Sequence, residues 1–389
     1  MIHLWPMLLP AAACSGWWIA RRNYVVKQPT EGNQLSREYV VGLNYLLNEQ
    51  PDKALDIFIK LLEVDSDTVE THLALGSLFR RRGEVDRAIR IHQNLIARPQ
   101  LRVMQRKEAL MALAEDYMSA GVYDRAERIF IEVVELGGTP DASSFRGLLA
   151  IYQHEKAWEK ALDVLKKLAL VTDNHMHAEA AHYHCELADN LVLKGAEDQA
   201  YSMIKQALLV DKKSVRASLM LAEMEMKQGR YKPAVRALKR VLIQDPAFFS
   251  EAIEPLLKAH AALNSMDECV SYLESTLGDY PSSSIIFAIG EHLREEKSLD
   301  MAIDFVSVQL SRYPSIRGLN QLIQWHLEST HGIVRDKLNM LLNITSKFLD
   351  NKPIYRCGHC GFSGKLLHWL CPSCKHWGRV KPIHGLEGD

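Results

Sequence analysis

Four cysteines near the end of the chain form two pairs, and each pair has two intervening residues. The pairs are Cys357–Cys360 and Cys371–Cys374, and ten residues separate them. Two intervening residues allow both thiolates of a pair to face one ion, and Gly361 follows the first pair where the chain must turn tightly. Four thiolates close a tetrahedral site and leave no open coordination position. The spacing therefore predicts one structural metal ion held by all four cysteines.

The identity of the ion has two alternatives, because four thiolates accept zinc or iron. Zinc is favoured, since the tail is too short to bury an electron-transfer centre. The ten-residue spacer is shorter than in the commonest zinc ribbons, which predicts a small ribbon with knuckles like those of rubredoxin. A redox-active CxxC motif would normally be single and next to a βαβ unit, and no βαβ unit is visible in this sequence. Because four thiolates satisfy the ion, three histidines are predicted to be bystanders: His359, His368 and His376.

The ribbon, residues 353–389, is too short to build much core of its own. It contains more aromatic side chains than it can bury: Tyr355, Phe362, Trp369 and Trp377. We expect these rings to dock on the preceding terminal helices, residues 316–352, around Trp325 and residues 333–350. The metal would then determine how the ribbon closes the end of the helical region.

The region that must carry the ribbon, residues 35–315, repeats a simple pattern. A small residue is followed three positions later by a bulky one and twelve positions later by a second small one. The clearest copies are Gly42/Tyr45/Ala54, Gly76/Phe79/Ala88 and Ala114/Tyr117/Ala126. Weaker copies begin at Leu149, Ala188, Ala222, Leu257 and Gly290. Successive copies start 33 to 39 residues apart.

A period near 34 residues with this pattern is typical of tetratricopeptide repeats, in which each unit is a pair of antiparallel helices. The small residues let the helix backbones approach, and the bulky residue fills the gap between pairs. The predicted fold class is therefore all-α: a right-handed solenoid of about eight repeats with one helix before it and the ribbon after it. Such an array is a binding module.

Other candidate side chains within the repeats receive structural interpretations. A histidine cluster is formed by His175, His177, His182 and His184. Its spacing matches no established ligand pattern, so we expect packing or surface roles. Cys185 and Cys269 are expected to be buried and inert. The run Arg80–Arg82 is expected to be a solvated helix end.

The sequence offers no motif for catalysis. It contains no GxSxG, GxxxxGK[ST], HExxH or GxGxxG pattern. Serine, histidine and aspartate are frequent, but an array of helices supplies such residues by chance. We therefore predict that the protein is not an enzyme.

The first residues predict a membrane anchor. Residues 2–20 contain no Asp, Glu, Lys or Arg, and nineteen helical residues span about 28 Å of a hydrocarbon core of about 30 Å. Arg21 and Arg22 follow with no Lys or Arg before them, which places the body of the chain in the cytoplasm. We predict an anchor over residues 1–20 and a linker over 21–34. The alternatives are a cleaved signal peptide and a lipoprotein modified at Cys14, but both expect positive charge before the apolar stretch.

The composition excludes several classes of protein. Hydrophobic residues make up 47% and charged residues 24% of the 389 residues, and the formal net charge is −1. This balance excludes wholesale disorder and a polytopic membrane protein. There is also no global basic excess that would attract nucleic acid.

The order of anchor, repeats and ribbon resembles the lipopolysaccharide assembly protein B family of Gram-negative bacteria. The most specific stretches are residues 35–58, 78–95 and 356–386. The resemblance implies an inner-membrane protein with a cytoplasmic body. It also carries the four cysteine thiolates over as the family's metal ligands, whereas it carries over no repeat residue.

For function, the resemblance implies an adaptor that restrains lipopolysaccharide synthesis by presenting the deacetylase LpxC to the membrane protease FtsH. One alternative is a scaffold that gathers lipopolysaccharide synthesis and transport enzymes without a role in proteolysis. Another is an electron carrier with iron in the ribbon. The client, the binding face of the repeats and homo-oligomer formation are not determined by the sequence.

Overall fold

The computed structural model describes residues 69–136, 142–172, 176–350, 352–386 and 388, together with isolated residues between 15 and 57. The chain divides into two compact units, Met1–Ile151 and Tyr152–Asp389. In this described part, no helix combines the length and the apolar character needed to cross a membrane. The predicted anchor lies outside the described residues except for Ser15, Trp17 and Trp18, and the predicted linker lies wholly outside them.

The first unit contains helices that are consecutive in the chain and pack against each other. They are α1 (Val69–Arg81), α2 (Val85–Ile96), α3 (Val103–Ser119) and α4 (Tyr123–Glu135). A fifth helix, α5 (Ala142–His154), crosses the boundary between the units. The small and bulky residues of the predicted pattern lie in the core: Ala54, Phe79, Ala88, Ala114 and Ala126 are all completely buried. This burial explains the residue types that the repeat pattern requires.

The second unit continues the helix pairs and ends in the ribbon. Its helices are α6 (Trp158–Val171), α7 (His177–Leu193), α8 (Glu197–Val210), α9 (Val215–Lys227), α10 (Tyr231–Gln244), α11 (Ser250–Ala262), α12 (Met266–Leu277), α13 (Ser283–Glu296), α14 (Leu299–Arg312), α15 (Ile316–Ser329) and α16 (Ile333–Asp350). A 3₁₀ turn, Pro246–Phe248, precedes α11. Serine side chains cap α9, α13, α14 and α15 by accepting a hydrogen bond from a first-turn N–H. The all-α repeat architecture is thus confirmed.

Close helix contacts explain the glycines of the pattern. A Cβ at Gly76 would overlap the ring of His92, and one at Gly290 would lie 2.8 Å from Val306 Cγ2. In α5 the close approach occurs at Gly147, where a Cβ would overlap the ring of Phe130. The predicted copy begins two residues later at Leu149, so the pattern located this repeat but not its contact residue.

A buried ionic network joins three helices of the first unit. Asp116 of α3 accepts a hydrogen bond from Arg80 Nη1 at 2.8 Å, and its other oxygen lies 2.5 Å from His92 Nδ1. Asp116 and His92 are fully buried, and the Arg80 side chain is 17% exposed. The prediction of a solvated helix end is therefore wrong for Arg80, although Arg81 and Arg82 are exposed. The error has a simple cause, because the acidic partner lies 36 residues further along the chain.

Replacing Asp116 with alanine is expected to lower the free energy of unfolding of the first unit by about 3–5 kcal/mol, because Arg80 would lose its buried counter-ion. Glu115 provides a matched control, since its carboxylate also binds Arg80, at 2.6 Å, but is 53% exposed. Glu115→Ala should cost less than about 1 kcal/mol. The change in the free energy of unfolding of each variant is measured by urea unfolding, monitored by circular dichroism. Amide hydrogen exchange in α1–α3 locates the change. If the two variants lost the same free energy of unfolding, burial would not be what determines the contribution of each carboxylate.

The ribbon is a small antiparallel sheet. Its strands are β1 (Tyr355–Cys357), β2 (Ser363–Gly364) and β3 (Val380–Pro382), in the order β2-β1-β3. Cys357 pairs with Val380, and both are almost completely buried with Cys371 in the ribbon's own small core. The cysteine pairs are thus presented from the ends and connections of this sheet.

The ribbon's aromatic rings do not dock where the sequence analysis expected. Trp377 stacks on His182 of α7, and Trp369 stacks on Phe248 of the 3₁₀ turn. Helix α16, the expected partner, has no buried residue, and Trp325 packs its ring against Phe287. The prediction failed because it assumed that the ribbon would contact the helices nearest in sequence. The aromatic surface that fits the rings belongs to helices more than 100 residues earlier.

Candidate metal centre and ribbon docking surface

Both CxxC pairs form the same tight turn. The N–H of Gly361 donates to the carbonyl of Cys357, and the N–H of Lys375 donates to that of Cys371, each at 3.0 Å. The residue after each pair has a positive φ, 78° at Gly361 and 55° at Lys375. This left-handed conformation lets the two sulfurs of a pair face the same point, as the sequence predicted for Gly361. At Lys375 a residue with a Cβ adopts the same turn, which the sequence did not reveal.

The structure brings the four sulfur atoms together. Cys357 Sγ lies 3.8 Å from Cys374 Sγ, and Cys360 Sγ lies 3.7 Å from Cys371 Sγ. All four lie within 4.8 Å of one another. A tetrahedral site with metal–sulfur bonds of about 2.3 Å requires sulfur–sulfur separations of about 3.8 Å. The four thiols are therefore close enough together to bind one metal ion, and zinc and iron both match this ligand set.

Local hydrogen bonding favours the thiolate form at Cys360, whereas desolvation raises the pKa of Cys374 to about 12. The backbone N–H of Phe362 points at the exposed Cys360 sulfur and lowers the pKa of that thiol to about 6. Cys357 and Cys371 are buried, while Cys374 is half-buried. A metal bound here would be enclosed by four protein ligands and would hold the two knuckles together, which is structural chemistry.

Two of the predicted bystander histidines lie beside the centre. The rings of His359 and His376 stack with their centroids 3.9 Å apart, and both lie close to Cys374. Both are exposed, and His376 Nδ1 is held by the carbonyl of Cys374 at 2.8 Å. His368 instead packs edge-on against Phe362. The four thiols complete a ligand set without any of these rings.

Comparison with known proteins matches both parts of the chain. A family model described as a rubredoxin metal binding domain matches residues 355–382. Tetratricopeptide repeat models match residues 71–102, 111–176 and 191–259. Lipopolysaccharide assembly protein B of Escherichia coli K12 is 38% identical over 394 aligned positions, which cover 100% of both chains. The chain belongs to the lipopolysaccharide assembly protein B family.

A second full-length relative agrees with this assignment. Lipopolysaccharide assembly protein B of Haemophilus influenzae is 35% identical, again over 100% of both chains. A solved tetratricopeptide repeat protein from Parabacteroides merdae has 16% identity, covers 72% of this chain and 100% of its own, and has a TM-score of 0.33. The resemblance noted in the sequence is thus confirmed by the two full-length relatives.

In this member of the lipopolysaccharide assembly protein B family, one histidine of the repeats forms the centre of the contact with the ribbon. The ring of His182 lies 4.8 Å from that of Trp377 at an interplanar angle of 19°, while the rings of Trp158 and Tyr183 approach Trp377 edge-on. Burial, and secondarily the charge of Arg216, lowers the pKa of His182 to about 3. The ring is therefore neutral at pH 7 and stacks without a buried charge.

Polar contacts also join the ribbon to other helices and turns of the second unit. Tyr355 donates its hydroxyl to Glu251 at 2.9 Å, and Lys381 forms an ion pair with Asp245 at 2.5 Å. Burial is the main cause that raises the pKa of Tyr355, so the hydroxyl keeps its proton. Further along, the N–H of Ile316 donates to the carbonyl of Leu386, near the end of the ribbon, at 2.9 Å. The ribbon thus contacts elements from α6 to α15.

The remaining candidate residues are structural where they are described. Burial raises the pKa of Cys185 to about 12 and that of Cys269 to about 11, as expected for inert core thiols. His175 lies outside the described residues. In the described ranges, groups able to hold a metal occur in the ribbon and not in the histidine cluster. The sequence predicted a packing or surface role for His182 but carried no signal that its partner is the ribbon.

Proposed function

We propose that this protein is an inner-membrane adaptor that regulates lipopolysaccharide biosynthesis. In this proposal the repeats hold the deacetylase LpxC and present it to the membrane protease FtsH for degradation. The observation that carries the proposal is the match over the full length of relatives named lipopolysaccharide assembly protein B. The repeats and ribbon supply what an adaptor needs, namely an array of helix pairs for binding and a small structural element docked on it.

The cellular location is part of the same proposal. The charge-free residues 2–20 would cross the inner membrane, and Arg21 and Arg22 would keep the repeats on the cytoplasmic side. The anchor would raise the effective concentration of the client near a membrane protease. A non-enzymatic role agrees with the ribbon, because four thiolate ligands leave no coordination position for a substrate.

The test is the half-life of the deacetylase after the chain is depleted from cells. We expect the half-life to lengthen several-fold, and to return to normal when the chain is supplied again. Cells whose protease is inactive serve as the control, because depletion should then have no further effect. An unchanged half-life, with synthesis enzymes still recovered together with the chain, would replace the adaptor by the assembly scaffold.

A further inference from the structure

A cleft of about 800 Å³ lies between the ribbon and the repeat helices of the second unit. The amino-terminal ends of α7 and α9 line one side, and ribbon residues 375–379 line the other. Phe248, Trp369 and Trp377 give the cleft an aromatic surface. The second metal knuckle leads directly into this lining, so the cleft exists only while the ribbon is folded and docked.

The cleft carries unneutralised positive charge. Lys213, Lys375 and Arg379 line it and are exposed, and in the described part of the chain none of them forms an ion pair. By contrast, Asp245 is already bound to Lys381 at 2.5 Å. The three free cations therefore point to a ligand with negative charge.

The other charged groups around the cleft leave this positive excess in place. Arg216 is bound by Glu186 and Asp189, at 2.8 and 2.6 Å, two carboxylates outside the lining that leave one negative charge behind it. Asp211 and Glu179 remain as acids of the lining. Within the lining, the four cations Lys213, Arg216, Lys375 and Arg379 outnumber the three carboxylates Glu179, Asp211 and Asp245 by one, and the amino-terminal ends of α7 and α9 add the positive ends of two helix dipoles.

A buried polar atom next to the aromatic surface lacks a partner. His182 is 8% exposed, and its Nδ1 has no hydrogen-bond partner among the described atoms. The Nε1 of Trp377 is also buried without a partner. A small movement on ligand binding would let a peptide group satisfy these atoms, since buried polar groups are normally paired.

We propose that this cleft binds an acidic, extended segment of the client protein, with its carboxylates against Lys213, Lys375 and Arg379 and one apolar side chain on the aromatic surface. This inference rests on the proposed adaptor function and assigns the client-binding site within it. A peptide fits better than a lipid headgroup, because the cleft combines a lining of three aromatic rings with cations on two different elements. An extended peptide can present apolar and charged side chains side by side, which matches a lining of aromatic rings and cations.

The test compares charge-reversal variants of the full-length, metal-loaded chain. K213E/K375E/R379E should raise the dissociation constant for purified LpxC at least about tenfold, as expected when three attractive pairs become repulsive. Added salt should weaken wild-type binding more than variant binding. A second variant, K213E/R379E, leaves the residue next to Cys374 unchanged, and metal content is measured for both variants.

The matched control, K297E/R312E/R335E, reverses three exposed cations elsewhere in the second unit. We expect its affinity for LpxC to stay within about twofold of wild type. If both cleft variants keep their metal and bind LpxC like wild type, the cleft assignment is wrong while the adaptor function stands. If wild type itself does not bind LpxC, the adaptor function fails. Loss of binding to phosphatidylglycerol vesicles, with LpxC binding intact, would overturn the inference in favour of a lipid headgroup.

Discussion

Replacing Cys371 and Cys374 with serine is expected to remove the metal and abolish function while leaving most of the helix content intact. Structural zinc in small ribbons contributes about 10–16 kcal/mol of apparent binding free energy, which here is the folding energy of the ribbon. Without two thiolates the ribbon should unfold, and Trp369 and Trp377 should leave Phe248 and His182. The repeat helices should persist, because each is stabilised by its neighbours.

Three measurements follow this double variant: metal analysis, circular dichroism and complementation of a depleted strain. The matched control changes Cys185 and Cys269 to alanine, which should leave one equivalent of metal in place because both thiols lie in repeat helices. If the ribbon variant retains one equivalent of metal, the four-cysteine assignment is wrong. If it loses the metal and still complements fully, the ribbon is dispensable and the proposed mechanism fails.

Deleting residues 1–20 is expected to give a soluble, folded protein that no longer controls lipopolysaccharide synthesis. The repeats have their own core and need no lipid to fold, whereas the anchor would supply effective concentration at a membrane partner. Circular dichroism should match wild type in shape, and the deacetylase half-life should match that of depleted cells. The truncated chain must be compared with wild type at native abundance, because a higher total concentration would compensate for the local concentration lost at the membrane.

A chimera separates anchoring from sequence-specific contacts of these residues. Replacing residues 1–20 with an unrelated single-pass helix of the same orientation should restore control if anchoring is their role. Failure of the chimera would show that the segment itself contacts a partner. Full restoration by the truncated chain at native abundance would contradict the need for any anchor.

Two kinds of sequence signal succeeded because they describe short-range geometry. The two CxxC pairs predicted a cluster of four sulfurs, and the turns at Gly361 and Lys375 show why two intervening residues suffice. Small residues at helical spacing predicted close helix packing, and the contact between Gly76 and His92 shows its cause. In both cases the interacting residues lie within 17 residues of one another in the chain, in one small ribbon or one helix pair.

Expectations failed where the partner was distant in the chain. Arg80 was assigned to solvent because its counter-ion, Asp116, belongs to the next helix pair. The ribbon's tryptophans were assigned to neighbouring helices, although Trp377 stacks on His182, which lies 195 positions earlier in the sequence. No local sequence pattern distinguishes a histidine that packs in a core from one that stacks on an aromatic ring from a distant part of the chain.

By itself, the sequence determined the repeat class, the helical period, the clustering of the four cysteines and the family. Each of these depends on residue types at fixed short spacing, which the backbone converts directly into helix faces and turns. Only the tertiary structure decided where the ribbon docks, which charges are paired, and that a positive cleft with an aromatic surface lies between ribbon and repeats. Those features depend on which distant surfaces match in shape and polarity, and that match is made only when the whole second unit is folded.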